Sequence, residues 1–307
     1  MSLRQCLCEW CTNMDLMLDA LNPHIVMCID GRDELSDISI CDLVSTHCLQ
    51  QNCDDCGTDF VRELIVLKPN PPASIKWQVW DFVSSGHSAQ KRRERVTREG
   101  SLEMLCDELM LALKEFSQHL HNFRWQYSQY KTIKTNLPQS WALITMDFAE
   151  NFLLKQQDEV QSAHWAYSQV TVHPCVLHYK CPSCPEQVTD YLLFFSDDMV
   201  HDAHIVQIIQ RRTVDHLKSL IALDKVVIFS DGAASQYKSK LPFYYLLSND
   251  NIVVERCYFG SRHGKSQCDS AGGTIKRLLE EDVHTGVKIP DAETMFKHSD
   301  NIHCLGS

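Results

Sequence analysis

The chain has 307 residues, of which 44% are hydrophobic and 22% charged, and its formal net charge is −11. These proportions are typical of a globular protein with a sizeable core, and they exclude a fibrous or low-complexity chain. No apolar run approaches the roughly 18 residues of a membrane span, and the N-terminus lacks a signal-peptide apolar stretch, so we expect an intracellular protein. The acidic balance argues mildly against nucleic acid as a partner, although basic segments at 91–98 and 261–265 oppose that argument.

The first 68 residues hold eight of the fifteen cysteines. Without a secretory signal, short cysteine spacings favour thiolate–metal sites over disulfides. The candidate ligands fall in two motifs, Cys6-x-Cys8-x2-Cys11 and Cys48-x4-Cys53-x2-Cys56, with Cys28, Cys41 and His47 also available. We therefore expect structural Zn²⁺ in at least one tetrahedral site. The alternative is that several of these cysteines are small buried residues.

A second group of ligand-type residues follows the spacing Cys175-x2-His178-x2-Cys181-x2-Cys184. Cys181 and Cys184 are its best candidates for Zn²⁺, in a knuckle on a hairpin. The alternative is a hairpin with incidental thiols, because an extended strand would not put Cys175 and His178 on one face.

The middle of the chain predicts one long helix. A breaker at 69–72 precedes a short strand at 75–80, and from Ser101 to about residue 133 apolar residues recur at spacings of three and four. Such a helix is about 50 Å long. We interpret it as packed on its own domain, with a coiled-coil seam as the alternative. Its aromatic end could stack on nucleic acid, but core packing is the simpler interpretation.

From residue 138 onward the order is three strands, helix, strand, helix, strand, helix, which predicts a mixed α/β sheet with helices on both faces. Asp147 and Asp231 each follow an apolar strand, and Asp269 opens the last helix. Their spacings are 84 and 38 residues. Carboxylates at such positions can converge on two divalent cations. Taken singly, each aspartate could instead be a cap or turn residue, and Asp202 and Glu281 are rival candidates.

This part of the chain resembles the RNase H-like DDE/D transposases and integrases of eukaryotic DNA elements. The resemblance rests on the segments 146–151 (MDFAEN), 229–232 (FSDG) and 264–269 (GKSQCD), and it covers roughly residues 138–285. It implies that the three aspartates bind two Mg²⁺ or Mn²⁺ ions, with Lys265 and His263 assisting at the phosphate. The third carboxylate is Asp rather than the commoner Glu, and the match shows no separate end-recognition domain.

The resemblance further implies strand nicking by water and then attack of a DNA 3′-hydroxyl on target DNA. DNA would be the partner, the location nuclear, and a homo-oligomer is allowed. The alternatives are a domesticated or truncated, non-catalytic DNA- or chromatin-binding protein with the same fold, and a zinc-containing interaction protein. We divide the chain into a cysteine-rich zinc-binding region (1–68), a strand with the long amphipathic helix (69–137), an RNase H-like catalytic core (138–285) and a C-terminal tail (286–307).

Overall fold

A computed structural model describes residues 8–84, 91–154, 168–246, 252–260 and 267–303. The chain forms two compact units. Unit 1 comprises Met1–Gln126 with Gly260–His263, and unit 2 comprises Tyr127–Phe259 with Gly264–Ser307. The mixed α/β class predicted from the sequence is confirmed. Within the described ranges, no helix has both the length and the apolar character needed to cross a membrane.

Unit 1 is mostly helical and contains one hairpin. Its elements are α1 (Glu9–Leu21), a 3-10 turn (Asn22–His24), α2 (Gly31–Ile38), α3 (Thr46–Leu49), α4 (Thr58–Leu64), β1 (Ile75–Ser84), β2 (Lys91–Gly100) and the first part of α5 (Leu102–Thr135). The sequence analysis found little periodicity before residue 68, whereas α1 buries one continuous face that includes Cys11, Met14, Leu18 and Leu21. That face is easily missed because it relies on a cysteine and methionines rather than on leucines alone.

The basic segment 91–98 lies on β2, which pairs antiparallel with β1. Arg93 bridges to Glu9 at 2.8 Å and lies 3.8 Å above the ring of Phe82. Arg98 contacts two carboxylates, those of Asp81 and Glu108. Carboxylates of unit 1 therefore neutralise much of the positive charge of segment 91–98. This neutralisation leaves less charge on the segment to attract nucleic acid.

Helix α5 runs for 34 residues and confirms the predicted long helix. It begins after Ser101, whose hydroxyl accepts a hydrogen bond from the Met104 amide at 3.2 Å, as an N-cap does. The stripe from Leu102 to Leu120 is buried in a core shared with α1 and β1. Because the chain covers this stripe itself, the structure favours a helix packed on its own domain over a coiled-coil seam.

Unit 2 is built on one sheet. Its elements are the end of α5, β3 (Trp141–Met146), β4 (Phe152–Leu153), β5 (Gln169–Lys180), β6 (Gln187–Ser196), α6 (Ala203–Leu220), β7 (Lys225–Ser230), α7 (Lys240–Leu246), β8 (Val253–Tyr258), α8 (Gln267–His284) and α9 (Ala292–His303). The strands β3, β5 and β6 form an antiparallel meander. β7 and β8 extend it in parallel on the other side of β3, and β4 continues along β5 after β3 ends. The predicted order of elements is thus confirmed.

Helices cover both faces of this sheet. Alternate residues of β5 point to opposite sides. Cys175 and Leu177 join a core with α6, whereas Val170 and Val172 join one with α8 and α9. The end of α5 packs on the sheet through Tyr130, against residues of β3 and β7.

The segment 286–307, expected to be a tail, contains α9. Met295 of α9 is fully buried, and the Ala292 amide donates a 2.8 Å hydrogen bond to Asp197. The described part of this segment, through residue 303, therefore belongs to the packed body of unit 2.

Candidate functional site

Asp147 and Asp231 are brought together by strand register. Parallel strands β3 and β7 pair with a constant offset of 84 residues, as in Thr145 with Phe229. Asp147 and Asp231 have this same separation, and each directly follows its strand. Neighbouring strands lie about 4.8 Å apart. The two aspartates therefore emerge side by side at the carboxyl edge of the sheet.

Asp269 reaches the same edge because the start of α8 is seated there. The Cys268 thiol donates a 3.2 Å hydrogen bond to the main-chain oxygen of Thr145. One turn later, a Cβ built on Gly272 would lie 2.8 Å from Cβ of Ala149, so only glycine permits this approach. These two contacts bracket Asp269 on the helix and Asp147 on the strand.

The charges of the three carboxylates act on one another. Burial raises the pKa of Asp147, and the negative charges of Asp231 and Asp269 raise it further, to about 7. Burial also raises the pKa of Asp231, opposed by a hydrogen bond from the Ala233 amide. Such a cluster is costly without a counter-charge and is a frequent signature of a functional site. The three sequence-predicted aspartates therefore lie close enough for their charges to interact. Among the described residues, however, the groups whose ligand atoms all lie within 4.8 Å of one another do not include this triad. Carboxylate oxygens are the ligands that hard divalent cations prefer.

Aromatic and histidine side chains pack next to Asp147. Tyr237 is fully buried and its hydroxyl lies 3.0 Å from Nε2 of His173. Phe148, next to Asp147, contacts the His173 ring edge-on and stacks on His201 with ring centroids 4.2 Å apart. Burial lowers the pKa of His173 to about 3, so this imidazole is neutral. The sequence analysis missed these residues, since nothing in their spacing links them to the aspartates.

A polar cleft of about 400 Å³ lies between α8 and the segment that follows β3. One wall is α8, where Gly273, Lys276, Arg277 and Glu280 follow Asp269 along one face. The opposite wall is the segment 150–153 with Gln169. Lys276 spans the two walls, with its ammonium 3.1 Å from the Glu150 carbonyl. The cleft thus has two cationic side chains in its lining, Lys276 and Arg277, and its α8 wall begins at Gly273, four residues after Asp269.

The other residues predicted for the carboxylate site are not found in the described part of the cluster. Lys265 and His263 lie outside the described residues. Asp202 is the N-cap of α6, accepting bonds from the His204 and Ile205 amides at 2.9 and 3.1 Å. Glu281 is more than three turns, about 18 Å, along α8 from Asp269. Neither rival carboxylate therefore joins the cluster.

Four cysteines of unit 1 form a candidate metal centre. The sulfur atoms of Cys41, Cys48, Cys53 and Cys56 all lie within 4.8 Å of one another, with Cys41 at 3.5 Å from Cys48 and 3.8 Å from Cys53. Four thiolates at 2.3 Å from a tetrahedral zinc ion would be about 3.8 Å apart. The cluster can therefore hold a metal such as zinc.

The same cluster includes all three cysteines of the predicted motif, Cys48, Cys53 and Cys56, and adds Cys41, which was one of the residues available to it. Hydrogen bonds that the Cys41 thiol donates to Cys56, Cys48 and Cys53 raise the pKa of Cys41 to about 12. Burial also raises the pKa of Cys56, whereas a hydrogen bond from Ser45 lowers that of Cys48, so these thiols do not ionise together in the absence of a cation. Among the described residues, Cys28 and His47 are not part of this group.

Cys8 and Cys11 are buried at the start of α1, near His119 of α5. Cys6 lies outside the described residues. The sequence analysis did not identify His119 as a possible ligand, because it stands 111 positions after Cys8.

The hairpin cysteines do not gather four ligands. Cys175 is fully buried in β5, and His178 uses both ring nitrogens, with Thr189 and Gln267 each at 2.9 Å. Cys181 and Cys184 lie at the tip of the hairpin, where hydrogen bonds from Ser183 and Cys184 lower the pKa of Cys181 to about 7. Within the described residues these two thiols belong to no group of three or more ligands.

The chain belongs to the family described as a domain of unknown function (DUF8701), whose model matches residues 126–303, more than half of the sequence. The match begins at the boundary of unit 2 and includes all three aspartates. The four-cysteine cluster at 41–56 lies outside it. No curated protein matches the chain, and no solved structure matches it either.

Proposed function

We propose that this member of the DUF8701 family is a transposase-like DNA nucleotidyl transferase. In this proposal unit 2 has an RNase H-like fold, and Asp147, Asp231 and Asp269 hold two Mg²⁺ or Mn²⁺ ions. The observation that carries the proposal is the approach of these carboxylates to one sheet edge, where burial and then the negative charges of Asp231 and Asp269 raise the pKa of Asp147 to about 7.

The topology supports the proposed fold. An antiparallel meander of three strands, extended by two parallel strands and covered by helices on both faces, is the arrangement that the resemblance implies. Two of the aspartates end the meander's first strand and the adjoining parallel strand, and the third begins the last long helix before α9. A site formed by rigid elements in this way is well placed for chemistry that depends on positioning.

The residues of the site have separable roles in this proposal. When bound, paired divalent cations activate one oxygen and stabilise another in phosphodiester chemistry. The chain itself supplies the three carboxylates that position such cations, and α8 fixes Asp269 through the contact of Cys268 with Thr145. Buried Tyr237 and neutral His173 pack together next to Asp147 and limit the access of bulk water to the buried side of its carboxylate.

In this proposal the DNA strand binds in the cleft. The cationic side chains of the cleft, Lys276 and Arg277, both lie about two turns beyond Asp269 on the same wall. Arg277 is exposed and suits a phosphate, whereas Lys276 already contacts Glu150. The net charge of −11 means that such contacts must be local. DNA as partner, a nuclear location and self-association are parts of the same proposal.

Binding of Mn²⁺ and nicking of supercoiled plasmid by the full chain test this proposal together. We expect Mn²⁺ binding by calorimetry and Mn²⁺-dependent conversion of plasmid to the nicked form. Asp231→Asn should weaken binding at least tenfold and abolish nicking. Asp215→Asn, an exposed carboxylate on α6 across the sheet, is the matched control and should behave as the wild type.

The remaining outcomes separate the alternatives. Mn²⁺ binding without nicking would replace the enzyme by a non-catalytic DNA- or chromatin-binding protein of the same fold. Absence of Mn²⁺ binding in the wild type would overturn the proposed ion site and favour the zinc-containing interaction protein.

A further inference from the structure

A second group of metal-ligand side chains joins two helices of unit 1. The ligand atoms of Cys8, Cys11 and His119 all lie within 4.8 Å of one another. The thiol sulfur of Cys8 is 3.3 Å from Nε2 of His119. A thiolate and an imidazole bound to one tetrahedral zinc ion, at 2.3 and about 2.05 Å, would be about 3.6 Å apart. The observed spacing is close to that of a coordinated pair.

The position of the two thiols on α1 favours coordination. Cys8 is the N-cap and Cys11 lies in the first turn, so both residues are at the N-terminus of α1, the positive end of the helix dipole. That end of a helix stabilises thiolates, which are the form that binds metal. Cys8 is 0% and Cys11 1% exposed, so two ionised sulfurs there require a cation.

The imidazole is held in place by its surroundings. Trp10 stacks against the His119 ring with centroids 6.2 Å apart, and Phe116 packs against it at 6.3 Å. Both neighbours are apolar surfaces that restrict rotation of the ring. His119 thus presents Nε2 toward Cys8 from the middle of α5.

We propose that Cys8, Cys11 and His119 bind a Zn²⁺ ion, separate from the metal of the four-cysteine cluster. The ligand set of two thiolates and one imidazole selects zinc over Mg²⁺ or Ca²⁺, which take oxygen ligands. A water molecule or one further donor completes the tetrahedron. This ion ties the first turn of the N-terminal helix to the middle of α5, which makes it a structural element of unit 1.

Both proposed zinc sites lie next to the same part of α5. The hydroxyl of Ser39, two residues before Cys41, lies 3.1 Å from that of Ser117, and Ser117 is two residues before His119. The loop with the four-cysteine cluster and the start of α1 are therefore both fastened to one turn of the long helix.

Zinc content of the purified full chain, measured by elemental analysis, tests the proposal. We expect two zinc ions in the wild type, one in Cys11→Ser and one in His119→Ala. Cys48→Ser, which disrupts the four-cysteine cluster, should also keep one, and the Cys11→Ser/Cys48→Ser double variant none. The matched controls are Cys106→Ser, a buried thiol of α5 outside both groups, and His121→Ala, two positions further along α5. Both should keep two ions.

A wild type with one zinc ion, lost in Cys48→Ser and kept in Cys11→Ser and His119→Ala, would overturn the proposal. If the alanine variant fails to fold, His119→Cys provides a second test of coordination at residue 119. After cobalt substitution, its thiolate-to-Co²⁺ charge-transfer absorption should exceed that of the wild type, because a third thiolate joins the ion. An unchanged absorption would count against coordination by residue 119.

Discussion

The thiol of Cys268 donates a hydrogen bond to the main-chain oxygen of Thr145, across 123 positions of sequence. Thr145 is two residues before Asp147, and Cys268 directly precedes Asp269. This single contact therefore fastens the start of α8 to the strand end that carries the other carboxylates. The proposed site depends on it and on the close approach of Gly272 to Ala149.

Gly272→Ala should separate α8 from the end of β3. The new Cβ would lie 2.8 Å from Ala149 Cβ, a contact that forces the helix to move. We expect the free energy of unfolding to fall by about 1–3 kcal/mol and Mn²⁺ affinity to fall with it. Urea denaturation and calorimetry provide these measurements.

Gly273→Ala is the matched control, because nothing lies within 4 Å of its Cβ position. Alanine in a helix interior is about 0.5–1 kcal/mol more stable than glycine, so this variant should gain stability. Equal effects of the two substitutions would show that the contact with Ala149 is unimportant.

Asp147→Asn should remove a pH-dependent component of stability. The unfolded carboxyl ionises near its ordinary pKa of 3.8, whereas the folded one keeps its proton to about pH 7. The folded chain therefore binds the extra proton between these values, and the free energy of unfolding decreases as pH rises through this window. Without added Mg²⁺ or Mn²⁺, the variant should gain on the order of 2–3 kcal/mol over the wild type between pH 5 and pH 8.

Denaturation curves at the two pH values measure this gain. Asp215→Asn, with an exposed carboxylate, should leave the pH dependence as it is in the wild type. A constant difference between Asp147→Asn and the wild type across this range would contradict the buried, repelled carboxylate.

Asp202 should affect stability but not divalent-ion binding. Its side chain caps α6 through the amides of His204 and Ile205. Asp202→Ala should lower the free energy of unfolding by about 1 kcal/mol, whereas Asp202→Asn keeps a capping oxygen and should change it little. Calorimetry with Mn²⁺ should give the wild-type affinity for both. A loss of affinity would return Asp202 to the list of ion ligands.

Cys48→Ser should release zinc and loosen unit 1. Cys48 is buried within the four-cysteine cluster, so its removal leaves three thiols around the ion. We expect a lower melting temperature and a lower zinc content, since structural zinc contributes directly to folding. Cys28→Ser is the control, because the exposed Cys28 lies outside the cluster. Identical melting temperatures for the two variants would argue that the cluster holds no metal.

Arg277→Ala should weaken binding to duplex DNA under the proposed function. An exposed arginine beside the cleft adds a phosphate contact, so its loss should reduce the slope of log affinity against log salt by about 1. Fluorescence anisotropy with a labelled duplex measures this slope. Arg212→Ala removes an exposed arginine from α6, on the other face of the sheet, and should leave the slope unchanged.

Much of unit 2 was predictable because its signals are local. Continuous apolar runs predicted β3 and β7, and the spacing of apolar residues predicted α6; the same kind of spacing predicted the long helix α5, most of which belongs to unit 1. Unit 1 was harder. Its α1 uses Cys11 and Met14 in the core, and β2 is a charged strand whose partner β1 supplies the apolar side. Neither pattern is recognisable before the pairing is known.

The amino-acid sequence by itself determined which side chains were available: three aspartates at element ends, and cysteines at short spacings in the first 68 residues. Only the tertiary structure decided their grouping. The offset of 84 between β3 and β7 aligns Asp147 with Asp231, and the Gly272 contact brings up Asp269. His119 became a ligand candidate in the same way, since long-range packing, which spacing along the chain does not encode, places it beside Cys8.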